Sequence, residues 1–152
     1  MPAREFAERT GAVLIHPFDH EDIVAGQGTV GLEILEQCPD VKTILVPVGG
    51  GGLAAGIALL RSERPDLRIV GVQAEEAAAY PDSLVAGHPV AQAMGLTMAD
   101  GIAVAEPGAI PFGVITELLD EIITVSEESM SRALLSLLER AKMLVEPAGS
   151  AG

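Results

Sequence analysis

The sequence predicts an α/β fold with a mostly parallel sheet and flanking helices. Short apolar runs that suit buried strands alternate with stretches whose apolar residues recur at helical spacing. Within residues 43–73, a strand, a helix and a second strand follow one another over about 30 residues, the length typical of a unit with two parallel strands. Such alternation indicates a sheet that helices cover.

The first forty residues predict two helical segments and one strand. Residues 4–10 resemble the end of a helix, and the apolar run 11–15 predicts a short strand that stops before Pro17. Residues 30–38 predict a helix because apolar side chains recur there at helical spacing, and Pro39 ends it.

The next elements form the strand–helix–strand unit. Residues 43–48 are apolar and rich in β-branched side chains, which predicts a strand covered on both faces. Four glycines follow at 49–52, and then an Ala/Leu-rich helix over 53–60. Residues 67–73 predict the second strand of the unit.

The second half of the chain has weaker periodicity at first. We expect a short helix over 80–86, a loop at 99–101, a helix over 112–119 and a strand over 121–125. Ser126 is a suitable N-cap for a last helix. One face of that helix is expected to pack in the core or a subunit interface, through Met130, Ala133, Leu134, Leu137, Leu138 and Ala141.

Both ends of the sequence resemble interrupted elements. We therefore expect a single truncated domain over residues 1–152. In this division, residues 1–15 are the tail of a preceding helix and strand, and residues 16–152 are the larger portion.

Composition excludes several classes of function. The net charge is −13 and the nine Lys and Arg are scattered, which argues against binding to nucleic acid or to an anionic membrane surface. No apolar run reaches the roughly 20 residues of a membrane span. Cys38 is the single cysteine, which fits a reducing cytoplasm, and its helical position predicts packing in the core.

The glycine cluster is the most informative local feature. It lies between a predicted buried strand and a helix, where unpaired amides converge and favour negative charge. Glycines remove every Cβ that would keep a phosphate from those amides. No Lys-Ser/Thr pair follows, which disfavours a Walker-type loop. A dinucleotide-binding loop, with Glu75 as its acidic residue, and a merely flexible turn stay open as alternatives.

Six blocks of sequence occur in a characteristic order, and together they carry a resemblance. The blocks are HPFD at 16–19, AGQGT at 25–29, VPVGGGGL at 46–53, GVQ at 71–73, ADGIAV at 99–104 and ERAKMLVEPAG at 139–149. The chain resembles, over essentially its whole length, the pyridoxal-phosphate (PLP) threonine ammonia-lyases, with serine racemases and serine dehydratases as close relatives. The resemblance implies a tryptophan synthase β-like PLP-enzyme fold, of which this chain is a large-domain fragment.

The resemblance also implies roles for particular residues. In the family, threonine or serine undergoes α,β-elimination to a 2-oxo acid and ammonia, and the cofactor is PLP. The PLP phosphate is expected at Gly49, Gly50, Gly51, Gly52 and the amide of Leu53. Gly101 is expected to let the cofactor approach the backbone, and Glu146 to lie near its ring and the substrate. A cytoplasmic homo-oligomer in isoleucine biosynthesis is implied in the same way.

Two departures from the family pattern limit what the chain is expected to do. The family's Schiff-base lysine belongs to a segment that would precede Met1, and Lys42 and Lys142 do not match it. We therefore expect no catalytic residue and no turnover in this chain alone. The family's cation ligands correspond to Gln73 and Ala79, which predicts no metal site.

The histidines give no independent sign of catalysis. His16 precedes a proline and is expected to be held by the backbone, whereas His20 and His88 lie in polar loops and are expected to be exposed. Their separation in the sequence is unlike that of zinc ligands.

Three hypotheses about function stay open: an enzyme fragment, a non-catalytic phosphate- or nucleotide-binding module, and a pseudo-enzyme that serves as an interaction partner.

Overall fold

The computed structural model describes residues 3–152 and has a three-stranded parallel sheet at its centre. The strands are β1 (Thr43–Pro47), β2 (Arg68–Ala74) and β3 (Glu121–Val125), in the order β1-β2-β3. Val46, Gly71 and Ile122 lie side by side across the sheet. The predicted parallel α/β fold is confirmed.

Helices connect the strands and flank the sheet. They are α1 (Ala3–Thr10), α2 (Glu21–Gln37), α3 (Gly52–Ala58), α4 (Ala79–Ala86), α5 (Ala109–Leu118) and α6 (Glu127–Ser136). Short 3-10 turns cover Leu59–Ser62, Glu75–Ala77, Asp100–Ile102 and Pro147–Ser150, and a π turn covers Leu137–Ala141. Among residues 3–152, no helix is long and apolar enough to cross a membrane.

At two helices the residue just before the first turn caps it with its own side chain. The Nδ1 atom of His20 accepts a hydrogen bond from the amide of Asp22 at 3.2 Å, at the start of α2. The Oγ atom of Ser126 accepts from the amide of Ser129 at 3.3 Å, which confirms the predicted N-cap of α6. Both caps satisfy amides that have no partner within the helix.

Helices α2 and α3 cross at very short range. A Cβ on Gly28 would lie 3.1 Å from the carbonyl oxygen of Gly56, and a Cβ on Gly56 would lie 2.6 Å from that of Val24. Glycine at both positions therefore lets the two backbones touch. This crossing packs α2 against α3 and the main core, which includes the buried Ile44, Val46, Val48, Ala54, Ala55, Ile57, Leu67, Ile69 and Tyr80.

Three predictions in the first forty residues are wrong. Residues 11–15 form no strand, because no strand among the described residues pairs with them, and Val13 is 89% exposed. Helix α2 begins at Glu21 rather than at Val30, and the glycines of its first half are tolerated because Gly28 packs against α3. Cys38 is exposed just beyond the helix, so the prediction of core packing is also wrong.

The burial of β1 and α6 also differs from prediction. β1 has one buried face only, since Leu45 is 49% exposed while Ile44 and Val46 are buried, and the strand ends at Pro47. Of the six apolar residues expected on one buried face of the last helix, Met130 alone is buried. Leu138 lies in the π turn, where the helical period no longer keeps it in line with Met130.

Candidate functional site

The glycine loop, residues 49–52, joins the end of β1 to the start of α3. The amide of Val48 donates to the carbonyl oxygen of Val72 at 2.8 Å, which extends the pairing of β1 and β2 by one residue beyond Pro47. The chain then turns into α3, and Gly51 has a φ of 100°. The loop therefore lies at the carboxyl edge of the parallel sheet, where α/β proteins bind ligands.

The backbone amides of residues 49–54 donate no hydrogen bond to any acceptor within residues 3–152. The first paired amide after Val48 is that of Ala55, which donates to the carbonyl oxygen of Gly51 at 2.8 Å. The amides of residues 51–54 are the unpaired donors found at the start of any helix, and those of Gly49 and Gly50 extend the run into the loop. Such a run can satisfy the oxygens of an anion.

A cavity of about 480 Å³ opens beside these amides. It brings together all the residues that were predicted to bind the cofactor: Gly49, Gly50, Gly51, Gly52, Leu53, Gly101 and Glu146. Phe18, Ile102 and Val104 contribute apolar walls. None of the described residues that line it is basic, so the donors available to an anion there are backbone amides and the side-chain amide of Gln27.

Gly101 and Glu146 face each other across a narrow part of this cavity. A Cβ on Gly101 would lie 3.3 Å from Oε1 of Glu146 and 3.1 Å from the Cβ of Ala148. Gly101 belongs to a 3-10 turn rather than to the irregular loop that the sequence predicts. Glu146 precedes the Pro147–Ser150 turn and is exposed, so its carboxylate is accessible from the cavity.

Each glycine of the loop is also required by the residues that pack against it. A Cβ on Gly49 would lie 3.0 Å from the Cα of Ile102, and one on Gly50 would overlap the ring of Phe18. A Cβ on Gly51 would overlap the Tyr80 hydroxyl, and one on Gly52 would lie 3.1 Å from the Cβ of Phe18. A merely flexible turn, which was one alternative interpretation, does not account for this close packing.

A buried polar network holds the back of the loop. The Gln73 side chain is fully buried, and its Nε2 donates to the carbonyl oxygen of Val48 at 3.2 Å. Its Oε1 accepts from the amide of Tyr80 at 3.0 Å. The Tyr80 hydroxyl donates to the carbonyl oxygen of Gly50 at 3.3 Å. Burial, with a further contribution from Asp19, raises the pKa of Tyr80, so the hydroxyl keeps its proton.

The HPFD block forms a tight turn that supports the same loop. The Nδ1 atom of His16 accepts from the amide of Asp19 at 2.8 Å, which confirms that backbone groups hold this histidine. Oδ1 of Asp19 accepts from the amide of Ile110 at 2.8 Å and so caps the start of α5. Phe18 packs against the glycine loop. The sequence pointed to HPFD and GVQ as family blocks, which contain Phe18 and Gln73. It did not predict that Phe18, Gln73 and Tyr80 support the glycine loop.

The remaining candidate groups lie away from the cavity or are otherwise engaged. Lys42 pairs with Asp66 at 3.3 Å, and the Nζ of Lys142 donates to the carbonyl oxygen of Glu139 at 2.7 Å. Neither lysine lines the cavity. His20 and His88 are exposed, as predicted. Within residues 3–152, no group of three or more His, Cys, Asp or Glu could hold a metal ion, and the amide of Gln73 already makes two hydrogen bonds.

Fold and site together define the class of protein: an α/β protein whose glycine loop presents unpaired backbone amides at the edge of a parallel sheet. A family model described as "Pyridoxal-phosphate dependent enzyme" matches residues 1–152. The chain belongs to this family of PLP-dependent enzymes, and PLP is its cofactor. Unpaired amides that border this cavity are a fitting site for a phosphate group.

Comparison with individual proteins shows which members of the family the chain is similar to. The chain is 49% identical, over 144 residues, to an L-threonine ammonia-lyase of Geobacter sulfurreducens, an alignment that covers 94% of this chain and 36% of the relative. A solved structure of a threonine deaminase from T.th. is 41% identical with a TM-score of 0.93, over 98% of this chain and 50% of that one. Maize serine racemase is 37% identical with the same TM-score, over 99% and 46%. The chain therefore spans less than half the length of the curated relatives it matches.

Proposed function

We propose that residues 49–53 hold the phosphate of PLP through their backbone amides. The observation that carries this proposal is the run of amides at 49–54 with no acceptor within residues 3–152, beside a cavity of about 480 Å³. Gly101 then leaves room for the cofactor next to the backbone. The carboxylate of Glu146, opposite Gly101, lies where it can orient the cofactor ring or the amino group of a substrate.

The whole protein is proposed to be a threonine ammonia-lyase, with serine as the alternative substrate. The names of the similar proteins support this activity. When bound, PLP supplies an electron sink for the bonds at the α-carbon of an amino acid. The residues of this chain bind the phosphate, exclude water with the apolar wall of Phe18 and Ile102, and present one carboxylate.

Turnover is proposed to need a lysine that these residues do not supply. Lys42 and Lys142 are the lysines of the chain, and neither lines the cavity. The 152 residues alone are accordingly proposed to be inactive. The division into residues 1–15 and a phosphate-binding large-domain portion at 16–152, the homo-oligomeric state, the cytoplasmic location and the place in isoleucine biosynthesis belong to the same proposal.

A second candidate is a non-catalytic phosphate- or nucleotide-binding module. The lack of a lysine among the described residues that line the cavity favours it. It differs from the first proposal in its preferred ligand, since a nucleotide module binds ATP or NAD more tightly than PLP.

The test removes one amide from the loop without adding a Cβ to a glycine. Leu53→Pro deletes the N–H of the second residue of α3, a position at which a helix tolerates proline. Leu53→Ala is the matched control, because it shortens the side chain and keeps the N–H. Binding of PLP, pyridoxal, ATP and NAD is measured by calorimetry. A charge-assisted hydrogen bond contributes about 1.5–3 kcal/mol, so Leu53→Pro is expected to weaken PLP binding by at least about tenfold relative to Leu53→Ala.

The comparison of ligands decides between the two candidates. PLP is expected to bind more tightly than pyridoxal, which lacks the phosphate. Equal affinity for PLP and pyridoxal contradicts the proposal that the amides of residues 49–53 form a phosphate cradle, that is, hold the PLP phosphate. Equal affinity of the proline and alanine variants for PLP contradicts it as well. A clear preference for ATP or NAD over PLP favours the nucleotide module instead.

A further inference from the structure

The carbonyl groups that precede Gly49 and Gly51 accept hydrogen bonds from buried side chains. The carbonyl oxygen of Val48 accepts from Nε2 of Gln73, and that of Gly50 accepts from the Tyr80 hydroxyl and from the amide of Gly108 at 3.0 Å. Both side chains are fully buried. Their polar atoms thus bind this backbone from outside the cavity.

The direction of a carbonyl fixes the direction of the next amide. A trans peptide is planar, so its C=O and N–H groups point in opposite directions, and no described peptide bond is cis. With the carbonyl groups of Val48 and Gly50 held towards Gln73 and Tyr80, the N–H groups of Gly49 and Gly51 point away from this network. Both glycines line the cavity.

We propose that Gln73 and Tyr80 are positioning residues for the phosphate cradle, which orient the amides of Gly49 and Gly51 by binding the carbonyl groups that precede them. This inference rests on the proposed phosphate-binding role of the loop. Neither side chain lines the cavity, so both act through the backbone.

Packing alone does not account for the polar atoms of the network. The Tyr80 ring stacks on Phe112 with a centroid separation of 6.2 Å, and a phenylalanine at position 80 fills the same space. The hydroxyl adds one contact, the bond to the carbonyl of Gly50. Gly51 has no Cβ where this hydroxyl lies, so the hydroxyl and the turn at Gly51 are matched to each other.

The test compares three variants of the full chain with inorganic phosphate as the probe. Tyr80→Phe removes the hydroxyl, and Gln73→Met removes both amide contacts at similar volume. Ser83→Ala is the control, because Ser83 is equally buried in α4 but bonds Ala79 and Val90 rather than the loop. Phosphate affinity and the ³¹P chemical shift of bound phosphate are measured by NMR, and stability by urea unfolding.

Affinity and chemical shift are expected to change in the two loop-supporting variants alone. Tyr80→Phe leaves the carbonyl of Gly50 with the Gly108 donor and is expected to weaken binding about twofold to fivefold. Gln73→Met leaves the carbonyl of Val48 without its donor and is expected to weaken binding about tenfold. The bound ³¹P signal is expected to move in both. Ser83→Ala is expected to lower stability and leave affinity and shift unchanged.

Three results overturn the inference, and they are distinguishable. If the unaltered chain binds phosphate and Tyr80→Phe and Gln73→Met bind it equally well with the same ³¹P shift, the network does not position the amides. If Ser83→Ala weakens binding as much as they do, the effect is one of stability. If the unaltered chain does not bind phosphate, the proposed function fails and the inference fails with it.

Discussion

Replacement of Gly51 by alanine tests how tightly the glycine loop is packed. The φ of Gly51 is 100°, in the left-handed region, which costs other residues about 1–2 kcal/mol. The added Cβ would overlap the Tyr80 hydroxyl and lie 2.9 Å from the Cβ of Pro111 and 3.0 Å from Cδ1 of Ile115. Overpacking of a buried site costs about 1–3 kcal/mol. Gly51→Ala is therefore expected to lower the free energy of unfolding by about 2–5 kcal/mol, a large share of the roughly 5–15 kcal/mol of a typical domain.

The assay is urea unfolding followed by tyrosine fluorescence and circular dichroism. The chain has no tryptophan and Tyr80 is its single tyrosine, so the fluorescence reports on the contact that the new Cβ disturbs. Gly113→Ala is the control, because Gly113 is exposed in α5 and a Cβ there meets nothing within 4 Å. Removal of a helical glycine is expected to raise stability by about 0.5–1 kcal/mol. A Gly51→Ala variant within about 0.5 kcal/mol of the unaltered chain refutes the argument.

Substitutions at three further positions test two helix caps and one carboxylate. Asp19→Ala removes the acceptor of the Ile110 amide and is expected to lower unfolding free energy by about 1 kcal/mol in urea titrations, whereas Asp19→Asn, which keeps an oxygen there, is expected to lower it less. Ser126→Ala is expected to cost about 1 kcal/mol in the same assay, and an unchanged midpoint argues against its role as N-cap of α6. A hydrogen bond from the Ile69 amide, and then Arg61, lower the pKa of Asp120. The contribution of this carboxylate is present above its unfolded pKa of about 3.9 and is lost as pH falls through the lower folded value, so Asp120→Asn is expected to flatten the acid side of the stability–pH curve.

Elements with a strong local signal were predicted well from the sequence. Strand β3 spans the predicted residues 121–125, and Ser126 caps α6 as expected. Strand β2 was displaced by one residue only. In these segments the apolar pattern, β-branched side chains and capping chemistry agree with one another, and no distant contact opposes them.

The wrong predictions concern segments whose structure or burial depends on contacts with residues far away in the sequence. Residues 11–15 have the composition of a strand, but a strand requires a neighbour to pair with, which the composition cannot reveal. The early start of α2 depends on Gly28 fitting against Gly56, a contact between segments far apart in the sequence. The exposed Leu45 shows the same limit, because apolar character alone does not state what covers a strand.

The glycine loop shows that a residue type can be needed for more than the reason the sequence indicates. Sequence reasoning assigned its glycines to a bound ligand, whereas the packing of Phe18, Tyr80 and Ile102 against the loop also excludes a Cβ. A glycine-to-alanine change consequently alters stability and phosphate access together and cannot separate the two. Leu53→Pro removes a donor at the front and Tyr80→Phe removes a support at the back, and neither adds a Cβ to a glycine. If the amides bind phosphate and the network orients them, each change must weaken phosphate binding by itself, without the loss of stability expected of Gly51→Ala.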